Sequence, residues 1–182
     1  IGANRGVGYH TAQILLNQGL TVYLLCRDLE LGKEAARKLS AATCCTTDQV
    51  QAFHVDLGDL STVASFIEEV ERRNDCVVSL VNNAGTISTE AMRVNHLGHF
   101  ALTVGLIPAL QRGAQLHRGW LSCAGSGGAS VVNVASVAHI EGAVTIGKWA
   151  RQAVEAAAAD AAASSVSLDP SVSVSASESG AF

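Results

Sequence analysis

No run of basic residues and no long apolar run occurs in this 182-residue chain, whose formal net charge is −4 and whose pI is about 5.8. A face that binds nucleic acid or an anionic membrane needs clustered Lys and Arg, so we expect neither partner. A membrane-spanning helix needs roughly 18 or more apolar residues in succession, and no basic-then-apolar leader opens the chain. We therefore predict no membrane segment and a cytoplasmic location, with an anchor on a preceding segment left open.

Zinc-binding patterns and a disulfide framework are also missing. The five cysteines are odd in number, and neither their spacing nor that of the six histidines matches a zinc site. We expect no metal, and reduced thiols in a cytosolic compartment. The remaining composition, 48% hydrophobic and 15% charged, fits a globular domain with a core of its own.

The chain opens on a glycine-rich turn, Gly2-x-x-x-Gly6-x-Gly8, which runs into a helical pattern at 9–19. In such a turn Gly2 permits a tight bend, Gly6 lets backbone N–H groups approach phosphate, and Gly8 allows close helix packing. A turn of this kind normally follows a buried strand, yet only Ile1 precedes Gly2. The pattern predicts a nucleotide pyrophosphate site whose supporting strand is absent. Three glycines in an ordinary turn are the alternative interpretation.

The segments that follow alternate between strand and helix. Short apolar runs typical of strands buried on both faces lie at 20–26, 50–55, 76–81 and 130–134. Helical periodicity covers 29–39, 61–73 and 90–110, and a polar loop is expected at 41–48. We expect Asp28 and Ser61 to cap the second and third helices, and the fourth helix to end near Pro108 or just beyond. This alternation predicts an α/β fold: a Rossmann-like doubly wound parallel sheet, incomplete because its first strand and its C-terminal strands are missing.

The composition of the chain changes past Gly142. We divide the chain into a partial Rossmann dinucleotide-binding domain at 1–142 and an Ala/Ser-rich tail at 143–182. Within the tail, 153–163 is helix-permissive and the low-complexity segment 164–182 is expected to be disordered. Apolar residues of that segment alternate with polar ones, so a strand there is the alternative.

Two arginines bear on which dinucleotide the predicted site would take. Arg27 follows the run at 20–26, which is the second strand of the expected sheet when the absent first strand is counted. The ribose edge of a dinucleotide lies at the end of this strand, and Arg5 lies in the glycine loop. An acidic residue ending that strand would bond both ribose hydroxyls and repel a 2′-phosphate, but Cys26 occupies the place. The pair favours NADP(H) over NAD(H), because arginine pairs well with phosphate. A solvated charge beside Asp28 is the alternative for Arg27.

Polar residues also end the next two strands. Asp56 follows the third strand in Val55-Asp56-Leu57, and Asn82-Asn83-Ala84-Gly85 follows the fourth. The carboxyl ends of parallel strands line the crevice in which open sheets bind ligands. Capping of a helix or loop is the alternative for Asp56, and a strand-end turn is the alternative for the asparagines.

Five motifs in order resemble the short-chain dehydrogenase/reductase family. They are Gly2-x-x-x-Gly6-x-Gly8, Val55-Asp56-Leu57, Asn82-Asn83-Ala84-Gly85, Val94-Asn95-His96-Leu97-Gly98-His99-Phe100 and Val131-Val132-Asn133-Val134-Ala135-Ser136-Val137-Ala138-His139. The last two are most similar to the retinol-dehydrogenase branch. The resemblance covers about residues 1–140 and implies a Rossmann fold with hydride transfer between a nicotinamide and a carbonyl or alcohol of retinoid, steroid or simpler type.

The resemblance also implies roles for individual residues. Asn95 matches the asparagine that supports the family's proton relay, and Ser136 the serine that hydrogen-bonds the substrate oxygen; an ordinary strand-end serine is the alternative. Asp56 resembles the adenine-contacting aspartate, and Asn83 the start of the motif under the cofactor ribose. The full set of expected cofactor-binding residues is Gly2, Asn4, Arg5, Gly6, Val7, Gly8, Arg27, Asp56, Leu57, Asn83, Ala84 and Gly85. His96, His99 and His139 match no acid/base position, so we expect them to be structural or solvated.

The family's Tyr-x-x-x-Lys motif is missing from the segment after Ser136. In the family that tyrosine passes the proton and the lysine lowers its pKa, whereas this chain has only Tyr9 and Tyr23, both far upstream. Lys148 has Val144 four residues before it, and both lie too close after Ser136. We therefore expect impaired catalysis, with a small-molecule alcohol or carbonyl as the substrate if the chain is active. A non-catalytic nucleotide-binding or interaction module and a non-functional fragment are the alternatives, and a homo-oligomer stays open.

Overall fold

The computed structural model describes residues 1–117 and 128–136, which belong to one compact unit, Ile1–Ser136. Its strands are β1 (Val22–Cys26), β2 (Val50–His54), β3 (Ser79–Asn82) and β4 (Ser130–Asn133). Its α-helices are α1 (Gly6–Asn17), α2 (Leu29–Thr43), α3 (Leu60–Arg72), α4 (His99–Gly105) and α5 (Ile107–His117). The predicted α/β alternation is confirmed. The predictions for 143–182, and those for His139 and Lys148, lie outside the described residues.

The described strands form two parallel pairs. β1 lies beside β2 in the register Val22↔Val50, and β3 lies beside β4 in the register Ser79↔Ser130. The first residues of the chain connect the pairs, because the nitrogen of Ile1 donates to the Val81 carbonyl at 2.8 Å and that of Gly2 to the Leu25 carbonyl at 2.8 Å. The start of the glycine loop is therefore held between β1 and β3.

Two hydrophobic clusters lie on opposite faces of β1. Leu24 packs with α1 and α2 through Leu16 and Leu39, whereas its neighbour Leu25 packs with α3 and α4 through Val63 and Leu102. Successive side chains of a strand point to opposite faces, so β1 is covered by helices on both. This packing explains why the run at 20–26 is nearly continuously apolar rather than alternating.

Aspartates cap the amino ends of α2 and α3. Asp28 caps α2 as predicted, since its Oδ1 accepts a hydrogen bond from the backbone nitrogen of Leu31 at 3.0 Å. The prediction that Ser61 caps the third helix is wrong: Asp59 is the cap of α3, and it accepts from the Ser61 nitrogen at 3.0 Å. The polar segment 41–48 is only partly a loop, because α2 continues to Thr43 and a 3₁₀ turn covers Thr47–Gln49.

The single helix expected at 90–110 is instead three pieces. A π-helical turn, Arg93–Gly98, leads into α4, and α5 then continues past Pro108 to His117. Pro108 is the second residue of α5. N–H groups in the first turn of a helix have no acceptor within the helix, so proline, which has no N–H group, removes no hydrogen bond there. The expectation that the helix ends near Pro108 is therefore wrong, because proline is well tolerated at a helix start.

Candidate functional site

The glycine loop turns tightly at the amino end of α1. Gly2 has φ +71° and Gly6 has φ +58°, a region that favours glycine over residues with a side chain. A Cβ on Gly2 would lie 2.9 Å from the Cβ of Ala84, whereas one on Gly6 would meet nothing within 4 Å. Close packing therefore excludes a side chain at Gly2. At Gly6 there is room for a side chain, but the positive φ angle favours glycine.

Gly8 lies where the loop, the helix and the end of β3 meet. A Cβ there would overlap the carbonyl oxygen of Gly2 and lie 2.7 Å from Nδ2 of Asn83. That Nδ2 donates to the carbonyls of Ile1 at 3.1 Å and Gly2 at 3.3 Å. Asn83 therefore fixes the glycine loop against the carboxyl end of β3, with Ala84 directly against Gly2.

The amino end of α1 faces this loop without a side-chain cap. Its N-cap residue Arg5 has extended backbone (φ −160°, ψ 169°), makes no capping hydrogen bond and is exposed. The first turn holds no acidic residue, so its backbone N–H groups and the helix dipole carry unneutralised positive character. Gly6 and Val7 lie exposed in this turn, while Asn4 is half-buried beneath it. This geometry suits a phosphate-bearing ligand.

Arg27 extends from the carboxyl end of β1, where its side chain is exposed. The residue before it, Cys26, is buried, and its thiol contacts the backbone N–H groups of Ala3 and Asn4. Burial raises the pKa of the Cys26 thiol, so the group is neutral at pH 7. The end of β1 therefore presents the exposed guanidinium of Arg27, while the neighbouring carboxylate of Asp28 caps α2.

Asp56 and Leu57 follow β2 in a tight turn. Asp56 Oδ1 accepts from the Gly58 nitrogen at 2.9 Å, which supports the loop-capping interpretation of its side chain. Leu57 is buried and packs against Gly98, where a Cβ would overlap the Leu57 carbonyl oxygen. This contact places the π-helical turn over the end of β2, next to the ends of the other strands.

Asn95 reaches back from the π-helical turn to the segment after β3. Its Oδ1 accepts from the backbone nitrogen of Thr86 and its Nδ2 donates to the carbonyl of Thr86, both at 2.8 Å. Gly85 lies beside the pair, since a Cβ on it would be 3.5 Å from Oδ1 of Asn95. The side chain thus positions backbone at the strand end, and π-helical turns of this kind are frequent at functional sites.

A polar cluster centred on the buried side chains of Asn82 and His99 lies at the end of β3. Asn82, at the end of β3, donates to Asn133 Oδ1 at 2.8 Å and to Thr103 Oγ1 at 3.1 Å. Nε2 of His99 lies 2.8 Å from the Ala84 carbonyl, which can only accept, so Nε2 carries the proton. Asn82 and Asn133 end neighbouring strands in register, and that pairing of asparagines is the one sequence signal that could have found the cluster.

Burial decides the charge of His99. Nδ1 lies 3.2 Å from Oδ1 of Asn82, a contact that a protonated ring would strengthen. Desolvation is the larger effect, and it lowers the pKa of His99 below its usual value of 6.5. The structural role expected for His99 is confirmed, and His96 is exposed as expected.

Both tyrosines are held by contacts within the fold. Tyr23 donates its hydroxyl to Asp75 Oδ2 at 2.9 Å and packs against Phe53, with ring centroids 4.9 Å apart. Burial, and then the hydrogen bond with Asp75, raise the pKa of Tyr23. Tyr9 packs against the α1–α2 cluster. Ser136 is exposed three residues beyond the carboxyl end of β4, on the side of the sheet where Asn82 and Asn133 end their strands.

The family model for short chain dehydrogenase matches residues 1–150. The chain therefore belongs to the short chain dehydrogenase family. Retinol dehydrogenase 12 of Mus musculus is 34% identical over 153 residues, which are 79% of this chain and 44% of the relative. Retinol dehydrogenase 12 of Bos taurus is 36% identical over 148 residues, 76% of this chain and 42% of the relative. The predicted similarity to the retinol-dehydrogenase branch is confirmed, and the chain spans less than half the length of these relatives.

Solved structures support the Rossmann-like fold. The Pseudomonas aeruginosa RhlG/NADP active-site complex is 30% identical with a TM-score of 0.61, covering 75% of this chain and 51% of that one. Menthone neomenthol reductase from Mentha piperita is 23% identical with the same TM-score, covering 75% and 58%, and shows the fold alone. The predicted α/β Rossmann-like fold with parallel strands is confirmed, and the prediction about C-terminal strands lies outside the described residues. Within residues 1–117 and 128–136, no helix combines the length and the apolar character that crossing a bilayer requires.

Proposed function

We propose that this chain is the cofactor-binding part of an NADP(H)-dependent oxidoreductase that transfers hydride between an alcohol and a carbonyl. The supporting observation is the loop at the start of α1, where Gly2 packs too closely against Ala84, and Gly8 too closely against Gly2 and Asn83, to admit a Cβ, while Gly6 borders open space. Backbone N–H groups at this helix end would bond the pyrophosphate. The nicotinamide cofactor supplies the hydride chemistry when bound.

The preference for NADP(H) rests on the charges at the ribose edge. Arg5 and Arg27 are both exposed beside the loop, and the strand end that would hold a ribose-binding carboxylate carries buried Cys26. A guanidinium can bond a 2′-phosphate through two N–H groups, and such charge-assisted bonds are about twice as strong as neutral ones. Arg5 and Arg27 together therefore favour NADP(H), which carries the 2′-phosphate, over NAD(H).

Replacing Arg27 tests this preference. We expect Arg27→Ala to weaken NADPH binding by roughly 10- to 100-fold, the size of one or two charge-assisted hydrogen bonds, and to leave NADH binding nearly unchanged. Isothermal titration of both nucleotides measures the ratio. Arg37→Ala is the matched control, because Arg37 is an exposed arginine on α2 that pairs with Glu34. Equal losses for NADPH and NADH would contradict the assignment of Arg27 to the 2′-phosphate.

Proton transfer is the step for which this chain lacks a residue. Ser136 would bond the substrate oxygen, and Asn95 would act through the backbone at Thr86, which it holds from both sides. The sequence has no Tyr-x-x-x-Lys, and the hydroxyl of Tyr23 is engaged with Asp75. Loss of general acid/base catalysis costs on the order of 10²–10⁴ in rate. Retinoids, steroids and simpler carbonyls remain the proposed substrates of the whole protein, in a cytoplasmic location.

A second candidate function is a non-catalytic nucleotide-binding module. It is favoured by the combination of a closely packed glycine loop with two tyrosines that are engaged in other contacts, Tyr23 with Asp75 and Tyr9 with the α1–α2 cluster. Calorimetry that detects tight NADPH binding in a preparation without carbonyl turnover would select this function. For this second function we also propose that the chain forms a homo-oligomer, which sedimentation would measure.

A further inference from the structure

Three polar side chains form a stripe along the helical segment that follows β3. The members of this polar stripe are Asn95, His99 and Thr103. They lie four residues apart, which is about one helical turn, so they share one face of the segment. Their side chains contact alternate residues of the chain as it leaves β3, namely Thr86, Ala84 and Asn82. The polar stripe therefore fixes the path of the chain beyond the end of the strand.

His99 supplies the middle contact of the polar stripe. β3 ends at Asn82, so the Ala84 carbonyl lies beyond the strand, and it accepts a hydrogen bond from Nε2 of the ring at 2.8 Å. The other ring nitrogen, Nδ1, lies 3.2 Å from the Asn82 amide. An amide can turn either its oxygen or its nitrogen toward a ring nitrogen, so this contact can hold the neutral ring as well as the protonated one. Contacts at both nitrogens thus orient the ring of His99.

The groups around the ring are themselves bonded. Thr103 donates its hydroxyl to the His99 carbonyl at 2.7 Å and accepts from Nδ2 of Asn82 at 3.1 Å. Asn82 also donates to Asn133 at the end of β4, at 2.8 Å. Within residues 1–117 and 128–136, every buried side-chain nitrogen or oxygen has a hydrogen-bond partner. Because a satisfied buried polar network resists rearrangement, the ring holds the Ala84 carbonyl in one place.

Ala84 connects this network to the glycine loop. A Cβ on Gly2 would lie 2.9 Å from the Cβ of Ala84, so the loop and the segment after β3 are in close contact. Asn83, directly before Ala84, donates its side-chain amide to the carbonyls of Ile1 and Gly2. Closely packed groups transmit small displacements. A shift of Ala84 would therefore move the loop whose backbone N–H groups are proposed to bond the pyrophosphate.

We propose that His99 is a positioning residue for the nucleotide site, which holds the Ala84 carbonyl and thereby sets the place of Ala84 against the glycine loop. This role rests on the proposed nucleotide-binding function and adds to it a residue that acts through Ala84 rather than on the ligand. The pyrophosphate is common to NADPH and NADH, whereas the 2′-phosphate is not. Loss of the His99 contact should therefore weaken both nucleotides by the same factor, in contrast to loss of Arg27.

Isothermal titration of the full chain with NADPH and with NADH tests this role. His99→Leu removes the donor to Ala84 and should weaken both nucleotides about tenfold, the size of one hydrogen bond. His99→Gln can place an amide nitrogen close to the position of Nε2, so it should restore both affinities to within about threefold of the unmodified chain. Tyr23→Phe is the matched control, because it removes one side-chain hydrogen bond, that to Asp75, and should leave both affinities unchanged.

Nuclear magnetic resonance adds a readout that a purely structural role would not move. The imidazole N–H signal that is lost in His99→Gln belongs to His99, and it should shift when NADPH binds to the unmodified chain. Should His99→Leu fail to fold, His99→Asn makes the same comparison, because its shorter amide does not reach the Ala84 carbonyl.

The outcomes separate this role from the proposed function. Unmodified affinities in His99→Leu, a loss in His99→Gln as large as in His99→Leu, a loss confined to NADPH, or an N–H signal that NADPH does not move would each overturn the positioning role and leave nucleotide binding standing. An unmodified chain that binds neither NADPH nor NADH would overturn the proposed function, and the role of His99 with it.

Discussion

At the scale of single residues, close packing excludes a Cβ at particular positions of the glycine loop. Gly8 lies inside α1, where replacing glycine by alanine ordinarily stabilises a helix by about 1 kcal/mol. Here a Cβ would overlap the Gly2 carbonyl oxygen and press on the Asn83 amide. At Gly8, helix propensity therefore favours alanine, whereas packing favours glycine. Because two backbone segments approach so closely there, we expect the packing cost to outweigh the gain in helix propensity.

Gly8→Ala should destabilise the fold by about 1–3 kcal/mol, the usual cost of forcing an extra group into a packed site. The midpoint of urea unfolding measures the change. Gly85→Ala is the matched control, because a Cβ there meets its nearest neighbour, Asn95 Oδ1, at 3.5 Å, an ordinary contact. A Gly8→Ala protein as stable as the unmodified chain would show that the loop can move away from α1.

His99 should make the stability of the fold depend on pH. Burial lowers the pKa of the folded ring, so the unfolded chain, with a pKa near 6.5, takes up the proton more readily. The stabilising contribution is therefore complete above pH 6.5 and is lost as the pH falls toward and through the lowered pKa. Chemical unfolding between pH 7.5 and pH 5 should show this loss in the unmodified chain and a flatter profile in His99→Gln. Parallel profiles for the two proteins would rule out His99 as the source.

At the scale of elements, periodicity identified most of the strands and helices but not the break in the helix at 90–110. Glycines in close contact with other segments lie at both breaks: Gly98, at the end of the π-helical turn, packs on Leu57, and Gly105, at the end of α4, packs on Ile67. Contacts between distant segments leave no mark on local periodicity, so the sequence predicts one helix where packing produces three pieces. The capping aspartate Asp59 was missed for a simpler reason, since Ser61 two residues later is an equally good cap by type.

The π-helical turn and the segment after β3 should act as one element joined by Asn95. Asn95→Ala removes both hydrogen bonds to the Thr86 backbone and should lower stability by about 1–2 kcal/mol, a reduced sum because the site is exposed. Hydrogen exchange near residues 85–95 should accelerate first. Thr86→Ala is the control, because it keeps the backbone groups that Asn95 bonds. Unchanged exchange in Asn95→Ala would mean that the turn is held by other contacts.

At the scale of the whole molecule, the sequence predicts which strand ends form the proposed ligand-binding edge of the sheet better than it predicts the side-chain contacts at that edge. The five ordered motifs locate the fold, and the structure brings the loop at 2–8, the turn at 56–58 and the segment at 83–86 to neighbouring strand ends. The cluster that joins the buried Asn82 and His99 to the exposed Asn133 was not predictable, because its members are far apart in the chain and come together through strand register and the packing of α4. The resemblance to the family implies residue roles, whereas the contacts show that the Asn95 side chain bonds to the backbone of Thr86.

Binding without turnover is the behaviour expected of this chain as a whole. A ligand that binds only the folded state stabilises it by about 2.7 kcal/mol at 100 times its dissociation constant. For a protein of this size each kcal/mol raises the melting temperature by about 2–4 °C, so saturating NADPH should raise it by about 5–10 °C. NADH at the same concentration should raise it less, because it lacks the phosphate that Arg5 and Arg27 would bond. If proton transfer depends on the Tyr-x-x-x-Lys motif that this sequence does not contain, absorbance at 340 nm with a panel of aldehydes and ketones should show little NADPH oxidation. Oxidation at the rate of a full-length retinol dehydrogenase would contradict this expectation and require another proton donor in the chain.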